Sequence, residues 1–544
     1  MTEKTKQEIE REQLKAEKKN HILSVYRSIV KKEKRLPVRQ DFLEFEISRD
    51  ILRTTFGGIE TLHEYMRDTN EEFLNEHFSS VDNMFSENKS ASTSEKRIYV
   101  VTTAVAGATA HTGFLKTMNK FCKENDGQIV IMPAESISNS FEKKTAVFDK
   151  EFNSDKYLFV QEDTPLNNNI SLCSIQVSAK QVKPITGLSR LGRREGSYVF
   201  ASPKQFLEYI PSGNNRDKNY SIMTPGSCTL PNYYSETFVS KRISYIAGHD
   251  HQMGAVIIEI EDDDIFHFRQ IQCEDDGSFI DMGKQYSHNK KTKRVPVNAI
   301  MGDIHGVQAD EDAIGMFATL FATMDLRSLY LHDIFDGYSI SHHIRDISEK
   351  SKRSEDGMGK LVGELEYTYD LVKSISDTTK AKDVFIVKSN HDEFLDRYLK
   401  EGRYVFDAEN HLISLKIATA LFEDEDILQR GFDVVGKESP SHWHYLQRDD
   451  SSIIAGVECG SHGDLGLNGA KAALNSLERI YGDCVTGHNH TAAIQRGVFR
   501  VGTLSQLDMG YNRGPSSWTQ TCCLLYENGQ RQLINNINGK CSIL

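Results

Sequence analysis

The sequence predicts an α/β protein with a small helical module at its N-terminus. From residue 97 onward, apolar runs of strand length alternate with helical segments, which is the pattern of layered α/β domains. A chain of 544 residues is also too long for one compact core. We therefore expect a helix-turn-helix-like all-α module at residues 1–75, a linker at 76–96, an α/β accessory domain at 97–290 and a second α/β domain at 295–544.

The composition excludes several classes of protein. No apolar run is long enough to cross a bilayer and the N-terminus is charged, so we expect a cytoplasmic protein without membrane association. The nine cysteines form no CxxC pair, which argues against a zinc finger or a disulfide framework. The net charge is −13, so any contact with nucleic acid must be local.

The N-terminal module combines a charged first segment with three predicted short helices. The third helix is expected to be capped by Ser48 and interrupted at Gly57–Gly58. Arg49 and Arg53 would lie one turn apart on it, as on the recognition helix of a helix-turn-helix. A packing or oligomerisation module with solvated arginines remains an equal alternative.

The accessory segment begins with a strand, a helix and a second strand, and its basic stretch at residues 284–294 is predicted to be a second linker. Arg193 and Arg194, with nearby Arg190, are candidate DNA contacts, although ordinary surface charge explains them as well. The GHDH tetrapeptide at 248–251 resembles a metal motif, but two histidines do not complete a site. A half-degenerate copy of the C-terminal domain is a weaker alternative.

Five short motifs after residue 295 carry the predicted chemistry. Each follows a predicted strand, and the candidate groups are Asp303 and His305, Asp333 and Asp336, Asn390 with His391 and Asp392, His462, and His488 with His490. Ligands gather at the carboxyl ends of strands in α/β folds. Such a set can surround two divalent cations at the ~3.5–4 Å separation used in phosphoryl transfer. Oxygen and imidazole donors favour Mn²⁺, with Mg²⁺, Fe²⁺ or Zn²⁺ as alternatives.

The order D-x-H, D-x-x-D, N-H-D, H and G-H-x-H resembles the signature of the calcineurin-like metallophosphoesterases. The resemblance implies a four-layer α/β/β/α fold for residues 295–544. It also implies one metal held by Asp303, His305, Asp333 and His490, with Asp333 bridging to a second metal held by Asn390, His462 and His488. His391 would assist the leaving oxygen, and Asp336 would orient His391.

Three departures from the family pattern stand out. His332 and Ser389 replace the glycines that precede two of the motifs, and Gly337 stands where the phosphoprotein phosphatases carry an arginine. Neither replacement removes a ligand. The third departure makes the phosphoprotein phosphatase branch a poor match.

Further stretches, among them TPGSCTLPNYY and FHFRQIQ, resemble the phage-encoded nucleases that degrade host DNA, especially those of T-five-like coliphages. The nuclease subunit of the double-strand-break repair complex is a more distant resemblance. The resemblance implies a two-metal deoxyribonuclease with a DNA substrate, acting in the host cytoplasm. The long charged N-terminal segment and the large accessory domain lead us to expect a homo-oligomer. The alternatives are a phosphomonoesterase or nucleotide phosphatase, and a non-catalytic DNA-binding regulator.

Overall fold

A computed structural model describes most of the chain from residue 97 and parts of the N-terminal module. The described residues are 3–33, 37, 41–42, 45, 47, 49–56, 62, 65–66, 69, 97–134, 148–152, 156–160, 162–191, 196–211, 219–233, 238–341, 355, 359–423, 425–509, 512 and 514–544. The predicted linker at 76–96, the predicted cap at Ser48 and the predicted helix break at Gly57–Gly58 lie outside them.

The N-terminal module is helical where it is described. Helix α1 (Glu3–Glu33) is continuous and α2 (Arg49–Phe56) follows it. Tyr26 of α1, Leu52 of α2 and Phe42 between them pack in one buried cluster. Arg49 and Arg53 lie on α2, as predicted, but their side chains lie outside the described part of the structure.

The first α/β half contains strands and helices of ordinary length. They are β1 (Ile98–Val105), α3 (Thr112–Glu124), β2 (Gly127–Ala134), β3 (Tyr157–Phe159), β4 (Thr164–Asn167), β5 (Ile170–Gln176), β6 (Ser197–Ala201), β7 (Gln205–Pro211), β8 (Asn219–Pro225), α4 (Phe238–His249), β9 (Gly254–Ile260) and β10 (Phe266–Gln272). One sheet has the order β10-β9-β1-β2-β3. It packs on α3 through Phe114 and Phe121.

The prediction of a second linker at residues 284–294 is wrong. Strands β11 (Phe279–Asp281), β12 (Lys284–Ser287) and β13 (Lys290–Arg294) form a three-stranded sheet in this region. Tyr286 points inward, and its ring centroid lies 5.4 Å from that of Phe279 and 5.0 Å from that of Phe121. The stretch looks like a linker because its exposed residues are basic, whereas one buried aromatic side chain anchors it.

The second half follows directly. Its elements are β14 (Pro296–Asp303), α5 (Glu311–Ala322), β15 (Asp325–His332), α6 (Leu361–Thr379), β16 (Asp383–Val387), α7 (Glu393–Lys400), α8 (His411–Ile417), α9 (Ile427–Val434), β17 (Trp443–Leu446), β18 (Ile453–Ile454), β19 (Val457–Glu458), α10 (Leu474–Tyr481), β20 (Cys484–Thr486), β21 (Ala493–Gln495), β22 (Val498–Arg500), β23 (Thr521–Tyr526) and β24 (Arg531–Asn535). The sheet β17-β16-β15-β14-β23-β24 carries α5 and α6 on one face. The predicted α/β class is confirmed.

A ten-stranded sheet joins the two halves. Its order is β18-β19-β20-β22-β21-β7-β8-β6-β5-β4, and the joint is the antiparallel pair β7–β21, in which Leu207 pairs with Ile494. Val101 and Val199 of the first half share a core with Ile300 and Val485 of the second. Strands on both sides of residues 290–295 therefore belong to one sheet and one core.

The two halves repeat one topology. In each, three parallel strands (β1-β2-β3 and β14-β15-β16) continue into an antiparallel pair (β9-β10 and β23-β24). The ten-stranded sheet has the same sequence of parallel and antiparallel pairs on either side of β7–β21. This order supports the alternative of a half-degenerate copy.

The repeat extends to individual hydrogen bonds. The Ser227 hydroxyl donates to the carbonyl of Thr103 at 3.0 Å, and the Thr503 hydroxyl donates to that of Asp303 at 2.8 Å. Ser227 and Thr503 also accept from the backbone amides two residues later, both at 3.0 Å. Thr103 therefore occupies in the first half the place that Asp303 occupies in the second.

A buried ion cluster ties the C-terminal residues to the first half. The Arg269 guanidinium is buried and donates to both oxygens of Asp281, at 2.5 and 2.8 Å, and to Glu259. Glu259 also accepts from the backbone amide of Ile543 at 2.6 Å.

No helix among the described residues is long and apolar enough to cross a membrane.

Candidate metal centre

The strand ends of the second half bring the predicted motifs together. Asp303 is the last residue of β14, Asp333 directly follows β15, and Asn390 follows β16. These three strands are parallel, so their carboxyl ends lie at one edge of the sheet. His462 and His488 follow β19 and β20 of the ten-stranded sheet, which packs against this one.

A first group of donors is buried and closely spaced. The ligand atoms of Asp303, His305, Asp333 and His490 lie within 4.8 Å of one another. The Nε2 atoms of His305 and His490 are 2.8 Å apart, and His305 Nε2 is 3.4 Å from Asp333 Oδ2. Two ligands about 2.1 Å from one ion and at right angles to each other are about 3 Å apart. The group could hold a metal ion.

A second group of donors faces the same Asp333 carboxylate. His462 Nε2 is 3.6 Å from Asp333 Oδ2 and 3.1 Å from Asn390 Oδ1. Asn390 Oδ1 is also 3.1 Å from His488 Nδ1. Asp333 thus lies between the two groups that the resemblance assigns to two metals.

Asp336 lies beside the first group and contacts two imidazoles. Its Oδ1 is 3.1 Å from the Nδ1 atoms of both His305 and His391. Burial opposes protonation of His391, but the Asp333 and Asp336 carboxylates outweigh it and raise its pKa to about 9. Burial would raise the pKa of Asp336, but the imidazoles of His305 and His391 outweigh it and hold that pKa well below its usual range. His391 is therefore protonated near neutral pH.

The carboxylates have unused ligand atoms. Neither oxygen of Asp303 and only one oxygen of Asp333 accepts a well-formed hydrogen bond from the described residues. The His488 backbone amide and His490 Nε2 lie near the Asp303 carboxylate, the latter 3.3 Å from Oδ2. Burying such oxygens without partners is costly, so they are expected to meet a cation. Burial and the nearby Asp333 raise the pKa of Asp303.

Three of these histidines, His490, His462 and His488, have lowered pKa values, which favours the neutral form that binds metals. Burial lowers the pKa of His490 to about 3, with the His305 imidazole adding to the effect. Burial likewise lowers the pKa of His462 well below its usual range and lowers that of His488. Burial opposes ionisation of Asp333, but the surrounding imidazoles, among them the protonated His391, hold its pKa well below its usual range.

Backbone strain concentrates at the same residues. Four predicted ligands adopt a positive φ: His305 at 56°, Asp333 at 52°, His488 at 74° and His490 at 56°. Each such conformation costs on the order of 1 kcal/mol or more and commonly marks functional sites. The strained backbone conformations thus lower the stability of these loops, and they direct the four side chains toward the candidate metal centre.

Gly487, the glycine of the G-H-x-H motif, permits a close approach. A Cβ built on it would lie 2.1 Å from Asp303 Oδ1. Any side chain at this position would displace the carboxylate or the backbone. The glycine is therefore required for the position of Asp303.

Asp392 and the GHDH tetrapeptide have other partners. The Asp392 carboxylate accepts from the backbone amides of Phe335 and Ser389 at 3.0 and 2.9 Å, which fixes the loop. His251 is bound by the Tyr233 hydroxyl at 2.7 Å and the Thr229 carbonyl at 2.8 Å. The tetrapeptide also precedes β9, whereas G-H-N-H follows β20, so the two do not correspond in the repeat.

Sequence reasoning missed three residues around the cluster. The Trp518 ring lies 4.3 Å from that of His490, edge to face. Arg500 donates from Nε to the carbonyl of Thr491 at 2.8 Å, beside the motif. The His332 ring is buried, and its nitrogens have no partner among the described residues. Only the scarcity of tryptophan, two in the chain, could have singled out Trp518.

The structure describes only part of the remaining predicted DNA-contact segment. Arg193 and Arg194 lie outside the described residues. Arg190 is described, in a short helical stretch at residues 189–191 of the first half.

Comparison with known proteins gives one finding. No family model and no solved structure matches the chain. The chain resembles a phage protein. It is 28% identical over 471 residues to Protein A1 of Escherichia phage T5, which covers 81% of this chain and 82% of that protein. The similarity supports a bacteriophage relationship over about four fifths of the chain.

Proposed function

We propose that the chain is a two-metal phosphodiesterase that hydrolyses DNA. The observation that supports this most strongly is the convergence of Asp303, His305, Asp333 and His490, from separate loops, in a buried cluster where three carboxylate oxygens accept no well-formed hydrogen bond. Phosphodiester hydrolysis needs concentrated positive charge at the phosphate, which such a ligand set is suited to collect.

Seven side chains would hold the metals in this proposal. They are Asp303, His305, Asp333 and His490 on one side, and Asn390, His462 and His488 on the other, with Asp333 shared. Divalent cations held there would supply Lewis acidity to the phosphate and to an attacking water. The oxygen and imidazole donors suit Mn²⁺ best, with Mg²⁺, Fe²⁺ and Zn²⁺ also compatible.

His391 is the proposed general acid. Its Nδ1 is held by Asp336, so Nε2 is the nitrogen that can deliver a proton to the departing sugar oxygen. In the metal-free protein the Asp333 and Asp336 carboxylates outweigh burial and raise the pKa of His391 to about 9. Asp336 is a positioning residue in this scheme, because it sets the orientation of the imidazole.

DNA is the proposed substrate because of the similarity to a phage protein, together with the resemblance of the motifs to phage nucleases. On this proposal the enzyme degrades host DNA in the host cytoplasm and assembles as a homo-oligomer. A phosphomonoesterase would instead release phosphate from nucleotides or p-nitrophenyl phosphate and leave plasmid DNA intact. A non-catalytic regulator would bind DNA without turnover in any divalent metal.

Digestion of circular and end-blocked linear DNA with Mn²⁺ tests the proposal. We expect cleavage that EDTA abolishes. His391→Ala should lower the rate about 10²–10⁴-fold, as for loss of a general acid. Asp333→Asn should abolish both cleavage and metal binding.

Matched controls are available in an exposed pair outside the cluster, His444 and Asp383, whose side chains lie 2.8 Å apart. Asp383→Asn and His444→Ala should cleave DNA at the wild-type rate. Wild-type protein that leaves DNA intact with every divalent metal would refute the proposal.

A further inference from the structure

The two halves differ in charge at helices that occupy equivalent positions. Helix α3 follows β1 and α5 follows β14 in the repeated topology. Helix α3 carries Lys116, Lys120 and Lys123, whose spacing of four and three places them on one face. Helix α5 contains Glu311 and Asp312 and no lysine or arginine. The basic face thus belongs to the half in which Thr103 replaces Asp303.

The three lysines border a cleft between α3 and the β12–β13 hairpin. The cleft has a volume of 490 Å³, and Lys156 and His288 line it together with the α3 lysines. One carboxylate, that of Glu124, also lines it, 4.0 Å from the Lys120 ammonium group. Positive charge therefore predominates within the cleft.

The hairpin extends the basic surface and is fixed to the helix. The Lys120 ammonium group donates to the carbonyls of Ser287 and Lys290 at 3.0 and 2.5 Å. The backbone amide of His288 donates to the Thr117 hydroxyl at 3.1 Å. With the Phe121–Tyr286 ring contact, these bonds hold the hairpin against α3.

Strand β13 has the sequence KKTKR, and its lysines and arginine are all exposed. The one acidic contact at β13 is that of Asp276, 3.9 Å from the Lys290 ammonium group, among the residues that the structure describes. Lysines often protect an edge strand from pairing with another chain. That role accounts for β13 but not for Lys116, Lys123 and Lys156, which lie outside it.

We propose that this basic face, formed by α3, Lys156 and β13, binds the phosphate backbone of nucleic acid. A chain of net charge −13 repels a polyanion unless cations are concentrated locally, and here they are concentrated on a preformed surface. Backbone contacts of this kind position the strand without reading its sequence. The inference deepens the proposed function, since it places substrate binding in the half without metal ligands, and it rests on that function for the identity of the ligand.

Binding of a labelled DNA duplex by the full chain in EDTA tests the inference apart from cleavage. The test variant carries Lys116→Gln, Lys123→Gln, Lys291→Gln and Lys293→Gln, all at exposed positions. A control variant with the same change in net charge carries Lys241→Gln, Lys382→Gln, Lys400→Gln and Lys416→Gln, also exposed. Fluorescence anisotropy over a KCl series gives the dissociation constant and its salt dependence.

The test variant should bind at least about tenfold more weakly at low salt, and its log–log salt slope should fall by about one for each lysine that contacts a phosphate. The control variant should bind like the wild type. Equal binding by the two variants, or a wild type that does not bind DNA, would overturn the inference.

Hydrolysis of bis(p-nitrophenyl) phosphate with Mn²⁺ separates this inference from the proposed function. The small diester does not need the basic face, so the test variant should hydrolyse it at the wild-type rate. Loss of DNA binding in the test variant, with no diester hydrolysis by any form of the protein, would refute the enzyme and retain the binding surface.

Discussion

Replacement of Asp303 by asparagine should stabilise the metal-free protein and destabilise the metal-loaded one. In the metal-free protein the carboxylate is fully buried, its oxygens accept no well-formed hydrogen bond from the described residues, and Asp333 lies nearby. Removing this charge relieves a buried polar cost of about 1–3 kcal/mol. The free energy of unfolding in EDTA should rise by an amount within that range.

In Mn²⁺ the order should reverse. A metal at one hundred times its dissociation constant stabilises the wild type by about 2.7 kcal/mol through mass action. The variant lacks a charged ligand and should gain little from the metal. Wild type should therefore be the more stable form with Mn²⁺ and the less stable form with EDTA.

Urea unfolding followed by tryptophan fluorescence, with EDTA and with Mn²⁺, measures both effects, and Asp383→Asn is the exposed control. Two outcomes would refute the reasoning. One is an Asp303→Asn variant that is less stable than wild type in EDTA, which would make the carboxylate a structural contact. The other is an equal gain from Mn²⁺ in both proteins.

Three further predictions concern a glycine, a buried arginine and a buried glutamate. Gly487→Ala should weaken Mn²⁺ binding at least about tenfold by displacing Asp303, whereas Gly315→Ala, with open space around its Cβ, should not, as isothermal calorimetry would show. Arg269→Met should lower the free energy of unfolding by about 3–5 kcal/mol because it leaves two buried carboxylates unpaired, and an unchanged urea midpoint would contradict this. Burial raises the pKa of Glu364 from 4.5 to about 7. Glu364 is therefore protonated in the folded state at pH values between 4.5 and about 7, where it is ionised in the unfolded chain. The free energy of unfolding should fall as the pH rises through this range, by about 3 kcal/mol more in wild type than in Glu364→Gln. Parallel urea curves at either end of the window would show the difference, and identical pH dependence in the two proteins would exclude Glu364 as its source.

The motifs of the candidate site were predictable because each is short and local. A buried strand has a recognisable pattern, and the residues that follow it, such as Asp303 or Asn390, are adjacent in sequence. Because the strands are parallel, the residues that follow their carboxyl ends lie at the same edge of the sheet. The close approach of Gly487 to Asp303 and of Trp518 to His490 was not predictable, because these contacts join segments that only the completed fold makes neighbours.

By itself, the sequence determined the α/β class and the chemical character of the candidate site, since strand periodicity and ligand type are properties of short segments. Only the tertiary structure decided that the two halves repeat one topology and share a ten-stranded sheet through β7 and β21. The tertiary structure also decided that residues 284–294 form strands. The buried ring of Tyr286 packs against Phe121 and anchors this segment although most of its other residues are polar or basic. Strands from distant segments pair through backbone hydrogen bonds, which nearly every residue type can make. The residue types in one strand therefore do not specify which other strand it pairs with.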